Sequence, residues 1–426
     1  MIKLPLALSA DQRRIVDRDG HAILIQGDAA WSMIANLSLD EARTYLDDRQ
    51  AKGFNTILVN LIERFFARDA PNTVTGIAPF TTPGDFRTPN EAYMRYAEQI
   101  LELALDRDFI VLLDPIYLGY PNEGQANPTY PGHQGEPEGW YDEVMANGPD
   151  GCRAWGAYLA ERFGHFHNLI WVLGGDRNPR DATPSVTAVA DGLRQGGVRE
   201  LFTIHVEPEN SPLDQPGIGW VDVNLTYSYQ LVHQKLIEEW TRKPVVPMLL
   251  VESTYEGEHG CTEQQIRRQA WWSVLCGGSG HVFGNAPIWA FGPGWQTAMQ
   301  SPGSVAMQRW GAFFRSLPWW ELVPDLEEQI AVAGLGPADE LDRATVAATP
   351  DRRLVVGYLP VRRDLVIDGS ALSASSYAVS WFEPGTGTVR SLGSVVQSSG
   401  RVTLTPPFAV DSVLTLTCVE GPRPCS

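Results

Sequence analysis

Residues 246–257 read VPMLLVESTYEG, an apolar run that stops at one carboxylate, Glu252, and passes into a polar loop carrying a second, Glu256. A strand without polar alternation is buried on both faces, the condition of a parallel sheet covered by helices. Seven more such runs lie between residues 21 and 291: HAILIQGD, FNTILVNL, FIVLLDPIY, LIWVLGGD, LFTIHVEP, VDVNLTYSY and GHVFGNAPIWAF. Helix-like stretches separate most of them. The first, SLDEARTYLDDRQAKG, opens on Ser38 with Glu41 three residues later and stops at Gly53, the pattern of a capping box and a glycine terminator. PNEAYMRYAEQILELALDRD, DGCRAWGAYLAERFG, HQKLIEEWTRK and TEQQIRRQAWWSVLCGG follow. This alternation over about 300 residues predicts an α/β fold, a (β/α)8 TIM barrel. The competing architecture is an open doubly wound sheet, and neither GxGxxG nor GxxxxGK[ST] follows the first strand to support it.

Texture changes after SLPWWELVPD. LVVGYLP, DLVIDGS and YAVSWFEPGTG, with turn residues at short intervals, predict a small C-terminal antiparallel β-sandwich over 328–426, after a catalytic barrel over 1–327. The barrel segment begins with a hairpin around DRDG, 17–20, expected to plug the barrel bottom or pair with the sandwich. Residues 118–150, rich in Gly, Pro and Asn, read as one long loop after the third strand, and such loops usually serve function.

With 51 acidic against 33 basic residues and a net charge of −18, the chain repels phosphate backbones and anionic lipid, which argues against nucleic acid and membrane surfaces as partners. No apolar run approaches the roughly 18 residues needed to cross a bilayer. The opening MIKLPLALSADQ is short for a signal peptide, so the expected location is cytoplasmic. Cys152, Cys261, Cys276, Cys418 and Cys425 form no CxxC and no metal-ligand spacing, which predicts reduced thiols, with closure of a loop by Cys418 and Cys425 as a minor alternative.

Barrel enzymes carry their reactive groups at the C-terminal ends of strands. Here the runs end in Asp28, Asn60, Asp114, Asp176, His205 with Glu207, Tyr227 with Tyr229, Glu252 and Asn285. Any one of these has a structural explanation, since a terminal Asp is often a helix cap. Asp176 and Glu252 stand out because the fourth and seventh strands open on neighbouring sectors of the mouth, where two carboxylates can flank one glycosidic bond. Retention requires them about 5 Å apart. The rigid strand before Glu252 suits a nucleophile, and the glycines before Asp176 suit a sharp turn. Glu256 reads as a solvated loop acid or at most a sugar contact.

Aromatic residues near strand ends, Trp31, Tyr117, Trp140, Tyr227, Tyr229, Trp289 and Trp295, are individually core or rim and collectively favour a carbohydrate. The Trp271–Trp272 and Trp319–Trp320 pairs read as packing. His165–Phe166–His167 precedes the fourth strand and so lies at the barrel bottom, which argues against zinc. No GxSxG elbow occurs.

Taken together, GDAAWSMIANLSLDEARTYLDDRQAKGFNTI, LIWVLGGDRNP, LLVESTYEGE and RRQAWWSVLCGGSGHVFGNAPIWAF resemble the apiosidase-like glycoside hydrolases, barrel enzymes often followed by a β-domain named for collagen binding. The resemblance implies retention, with Asp176 as acid/base and Glu252 as nucleophile, and action on branched pentoses of plant pectin or other furanosides. The expected enzyme is an exo-acting retaining glycosidase with a carbohydrate substrate, no cofactor and no metal. Asp28, Trp31, Asn60, Asp114, Tyr117, His205, Glu207, Tyr227, Glu256, Asn285 and Trp289 are its expected substrate contacts. The alternatives are a non-catalytic carbohydrate-binding barrel and, more weakly, a metal-dependent aldolase or isomerase.

Overall fold

A computed structural model describes residues 2–120, 137–394 and 400–419. Eight parallel strands form one sheet: β1 (Ile25–Ala29), β2 (Thr56–Asn60), β3 (Ile110–Asp114), β4 (Leu169–Gly174), β5 (Leu201–His205), β6 (Asn224–Tyr227), β7 (Met248–Glu252) and β8 (Gly280–Phe283). Their hydrogen-bonded order is β5-β4-β3-β2-β1-β8-β7-β6. The two ends of that order meet where Asp222 N–H donates to the Phe202 carbonyl at 2.8 Å and Thr203 Oγ1 donates to that of Val223 at 2.5 Å. The sheet thereby closes into the expected TIM barrel.

Helices α1 (Leu39–Ala51), α2 (Glu91–Leu105), α3 (Tyr141–Phe163), α4 (Thr183–Gln195), α5 (Val232–Thr241), α6 (Glu263–Leu275) and α7 (Pro302–Arg315) form the outer ring. α1 opens with the expected capping box of Ser38 and Glu41. One crossover departs from the (β/α)8 pattern: between β5 and β6 there is only a 3₁₀ turn, Pro212–Asp214. Prolines at 208, 212 and 216 in that connection exclude a continuous helix. α3 begins at Tyr141, inside the stretch read as loop, and is kinked at Gly148 where φ is +60°. The central part of that stretch, 121–136, lies outside the described residues. The eighth run is also divided, since β8 stops at Phe283 and Ala286–Trp289 is a helical turn.

Ile25, Leu58, Leu112, Ile170, Leu225, Leu249 and Val282 fill the barrel interior, and Leu6, Ile15 and Ile23 of the N-terminal segment join them at the strand-start end. That segment turns at Asp17–Gly20, with Gly20 N–H donating to the Asp17 carbonyl, and also pairs Ala7–Leu8 with Ile15–Val16. It therefore closes the barrel bottom.

The C-terminal module packs a six-stranded antiparallel sheet on a three-stranded one around Val355, Leu365, Ile367, Trp381 and Leu414. The expected division at 327/328 falls between its first strands, Val323–Pro324 and Ala331–Ala333. The module docks on α6: Arg267 forms a buried bidentate pair with Asp411 at 2.8 and 2.9 Å, and Trp271 stacks on Tyr358 with ring centres 5.8 Å apart. The Trp271–Trp272 pair is thus packing, buried at this interface. Cys152, Cys261 and Cys276 are buried thiols, while the suggested partner of Cys418, Cys425, lies outside the described residues. Among the described residues, no helix is long and apolar enough to cross a membrane.

Candidate active site

Alternation along each strand decides which terminal side chain reaches the mouth. In β2, β3 and β5 the interior positions lead to Asn60, Asp114 and His205. In β1, Ile25 and Ala29 face inward, so Asp28 faces outward. There it is fully buried against α1, accepting from Tyr45 at 2.6 Å and from the Arg49 guanidinium. Burial raises its pKa while Arg49 and Tyr45 oppose the shift. Asp28 is therefore a structural ion pair and not a sugar contact.

β7 would by alternation send Glu252 outward, because Leu249 and Val251 already face the interior. A register shift against β6, where Thr226 pairs with Leu250 but Tyr227 with Glu252, inserts Val251 as an extra residue. Such a bulge re-aims the next side chain, and Glu252 turns into the mouth.

Asp176 arrives by a different device. Gly174 and Gly175 hold φ of +96° and +107°, and a Cβ on Gly175 would stand 2.1 Å from the Tyr117 ring. The glycines let the chain turn sharply beneath Tyr117, whose hydroxyl donates to Asp176 Oδ2 at 2.6 Å.

β5 and β6 separate β4 from β7 in the barrel, so the two acids meet across the mouth rather than side by side. His205 stands between them, Nδ1 at 3.4 Å from Asp176 Oδ1 and Nε2 at 3.3 Å from Glu252 Oε2. Oxygens of both acids and a ring nitrogen lie within 4.8 Å of one another, the spacing of a carboxylate pair and also of three ligands that could hold a metal ion. Tyr229 donates to Glu252 Oε1 at 3.2 Å and accepts from Tyr227 at 2.8 Å. Burial first, then the charge of Asp176, push Glu252 up to about 7 against the pull of His205 and Tyr229. Burial pulls His205 down, but Glu252 and Asp176 outweigh it and the net direction is upward.

A pocket of about 370 Å³ opens over this pair, lined by Trp31, Asn60, Phe66, Tyr117, Tyr227, Tyr229, Tyr255, Glu258, His259 and Trp289 together with Asp176 and Glu252. Its size falls within the roughly 300–1,000 Å³ usual for small-molecule sites. Aromatic rings build the walls: Trp31 meets Tyr117 edge-on at 5.6 Å and donates from Nε1 to Tyr255 at 3.0 Å, while Trp289 meets Phe66 at 4.9 Å.

Of the expected contacts, Trp31, Asn60, Tyr117, Tyr227 and Trp289 line this pocket and the others do not. Asp114 is fully buried, accepts from Ile116 N–H at 2.9 Å, and is pushed well above the carboxylate range by burial. Glu207 is held by Arg180 at 2.8 Å and Asn178 at 3.1 Å, fixing the loop that follows Asp176. Glu256 is not a solvated acid: it is buried and accepts from Ser301 at 2.6 Å, Gly303 N–H at 2.7 Å and Asn285 at 3.0 Å. It binds the start of α7, where a carboxylate complements the helix dipole, and it takes Asn285 with it. Trp140 and Trp295 are buried away from the pocket, against Phe80 and Tyr45 respectively. His165 and His167 are surface residues paired with Glu98 and Glu200. Phe66, Tyr120, Glu138, Tyr255, Glu258 and His259 also line the pocket and were not foreseen. They sit on loops beyond the strand ends, where Tyr255, in the stretch that carries Glu252, and Tyr120 and Glu138, in the loop read as functional, had a positional signal.

The family described as "Apiosidase-like, catalytic domain" matches residues 9–321, and "Putative collagen-binding domain of a collagenase" matches residues 334–417. A solved structure described as "Glycoside hydrolase" is similar with a TM-score of 0.82 at 21% identity, covering 98% of this chain and 99% of its own. A glycoside hydrolase family 5 structure from Bacteroides vulgatus ATCC 8482 is similar with a TM-score of 0.82 at 21% identity, covering 98% of this chain and 95% of its own. At that identity the likeness carries the fold. No curated protein matches the sequence.

Proposed function

The chain belongs to the apiosidase-like catalytic-domain family of glycoside hydrolases, and on that premise we propose that it is a retaining exo-glycosidase releasing a pentose, apiose or a related furanoside, from a glycan or glycoside. The observation that carries the reading is the carboxylate pair, with oxygens within 4.8 Å at the floor of an aromatic pocket. Retaining glycosidases hold their two carboxyl groups about 5–5.5 Å apart, and inverting ones leave room for a water between them.

Exposure supports the division of roles. The Glu252 side chain is 6% exposed and rooted in a strand, as suits a nucleophile, whereas Asp176 is 16% exposed, as suits a group that must reach both leaving oxygen and water. Glu252 would attack the anomeric carbon while the Asp176 carboxylic acid passes its proton to the departing glycosidic oxygen, giving a glycosyl ester. Asp176, now a carboxylate, would take a proton from water as that water attacks the same carbon and expels Glu252. Burial and the facing charge of Asp176 push Glu252 up to about 7, because two facing carboxylates in a buried site resist joint ionisation. Trp31, Tyr117 and Trp289 supply stacking surfaces and Asn60 a hydroxyl partner.

The test is a panel of 4-nitrophenyl furanosides and pyranosides, with NMR of the first-formed anomer and Glu252→Gln as control. Retention, abolished in the variant, is expected, and inversion sinks the nucleophile assignment. A metal-dependent reaction is the second reading, favoured by the clustering of Asp176, His205 and Glu252. Loss of turnover on chelation, restored by a divalent cation, would select it.

A further inference from the structure

Three successive residues at the end of β4 have positive φ: Gly174 at +96°, Gly175 at +107° and Asp176 at +53°. The turn they make lays its backbone over the end of β5. Gly175 N–H donates to the His205 carbonyl at 2.8 Å, and Asp176 N–H donates to His205 Nδ1 at 3.0 Å. An amide N–H needs a lone pair, so Nδ1 carries no proton and the neutral ring carries its hydrogen on Nε2. Protonating Nδ1 would set N–H against N–H, whatever the neighbouring acids do to the ring's affinity for protons. Nε2 faces Glu252 Oε2 at 3.3 Å, off the axis of a full hydrogen bond, and both atoms are buried without another hydrogen-bond partner. Catalytic hydrogen bonds are often loose before substrate tightens them.

The ring has no freedom to do anything else. Its side chain is fully buried, with the Trp31 ring edge-on at 5.5 Å and Tyr227 at 4.9 Å, and it is not among the pocket's lining residues. His205 does not hold the sugar.

We propose that His205 is a positioning residue with two separable halves: Nδ1 tethers the backbone of Asp176, and Nε2–H holds the Glu252 carboxylate in the form that attacks and is later expelled. The inference rests on the retaining mechanism proposed above. The bond between a strained turn and a fixed tautomer would make the geometry of the acid/base depend on the residue that also orients the nucleophile.

Amide substitutions divide the two halves, because an Asn oxygen falls near Nδ1 and a Gln nitrogen near Nε2. His205→Asn keeps an acceptor for Asp176 N–H and loses the donor to Glu252. Its kcat should fall at least about tenfold on phenyl and 2,4-dinitrophenyl glycosides alike, with KM nearly unchanged, as expected for one lost hydrogen bond to a charged group. His205→Gln keeps the donor and loses the tether. It should lose about as much on the phenyl glycoside, whose departure needs a proton, and recover to within about threefold of wild type in the glycosylation step with 2,4-dinitrophenol, which leaves without one. Equal losses by both variants on both substrates, or no loss by either, overturn the proposal.

Should a variant fail to fold, ¹⁵N NMR of the wild-type imidazole decides: an unprotonated Nδ1 with a protonated Nε2 is expected at about pH 8, above the range where free imidazole titrates. The opposite tautomer or an imidazolium sinks the proposal. If the wild type cleaves no glycoside, the functional reading falls while the spectrum still tests the tautomer. If Glu252→Gln abolishes hydrolysis but the leaving-group contrast is absent, the two-half role alone falls.

Discussion

Asp28 and Glu256 on the outer side of this barrel and Asp176 and Glu252 at its mouth are all acids held near strand ends, and the two sets differ in what they meet. Asp28 meets a guanidinium and a phenol, and Glu256 meets two side-chain donors and a helix N-terminus. Asp176 and Glu252 meet two tyrosines and one imidazole, with no Arg or Lys paired to either among the described residues. A buried carboxylate held by a fixed cation is spent on structure, because giving up its charge would strand the cation. One held by hydroxyls and a neutral ring can gain or lose a proton and form a bond. On the proposed mechanism, the kind of partner, rather than burial or position along the strand, separates scaffold from chemistry.

The largest effects should divide along that line. Asp176→Asn is expected to slow glycosides with poor leaving groups on the order of 10³-fold, while thermal unfolding shifts little. Asp28→Asn should do the reverse: removing one charge of a buried pair leaves Arg49 with only the Asp48 carboxylate, at 3.0 Å, and costs about 3 kcal/mol in denaturant unfolding, with kcat per folded molecule unchanged. A large activity loss in Asp28→Asn without loss of stability would break the comparison.

The fold was legible because each apolar run contains a strand and every helix-like stretch read between them is a helix, with the β5–β6 crossover lacking one. Proline spacing at 208, 212 and 216 marked the exception. The meeting of Asp176 and Glu252 at the mouth was legible through the rule that barrel chemistry sits at strand ends, although Glu252 reaches it only by a bulge that composition does not announce. The surrounding contacts were half legible. Parity could have removed Asp28, since Ile25 and Ala29 face inward and Asp28, next to Ala29, must face out. Glu256 and Asn285 were beyond reach, because their partners Ser301 and Gly303 lie on α7 and only the folded chain brings them together. Glu258 and His259 depend on the path of the loop after β7, which no local pattern encodes.

A subtler effect tests whether the chemical sector is held against its own stability. Glu252 has an ordinary value of 4.5 and is pushed up to about 7 in the folded chain. Between those values the native state keeps a proton that the unfolded chain has released, so stability falls as pH rises and levels off above the upper value. Glu252→Gln removes that penalty. Its unfolding free energy should match wild type near pH 4, exceed it increasingly up to pH 7, and stay higher by something of order 3 kcal/mol above that. A variant less stable than wild type at pH 8 would place Glu252 with the scaffold acids.

Smallest and most diagnostic is Glu256→Gln. The amide is nearly isosteric, yet its NH₂ must face either Gly303 N–H or the Ser301 and Asn285 donors, so at least one buried donor loses its acceptor. The cost should be about 1–3 kcal/mol. Glu256 lies next to Tyr255 and two residues before Glu258, so loosening it should disturb the pocket wall without touching the carboxylate pair. Initial rates should therefore record a KM raised a few-fold with kcat nearly constant. A fall in kcat at constant KM would mean that Glu256 takes part in the chemistry, and the division between structural and reactive acids would then have to be drawn by something other than their partners.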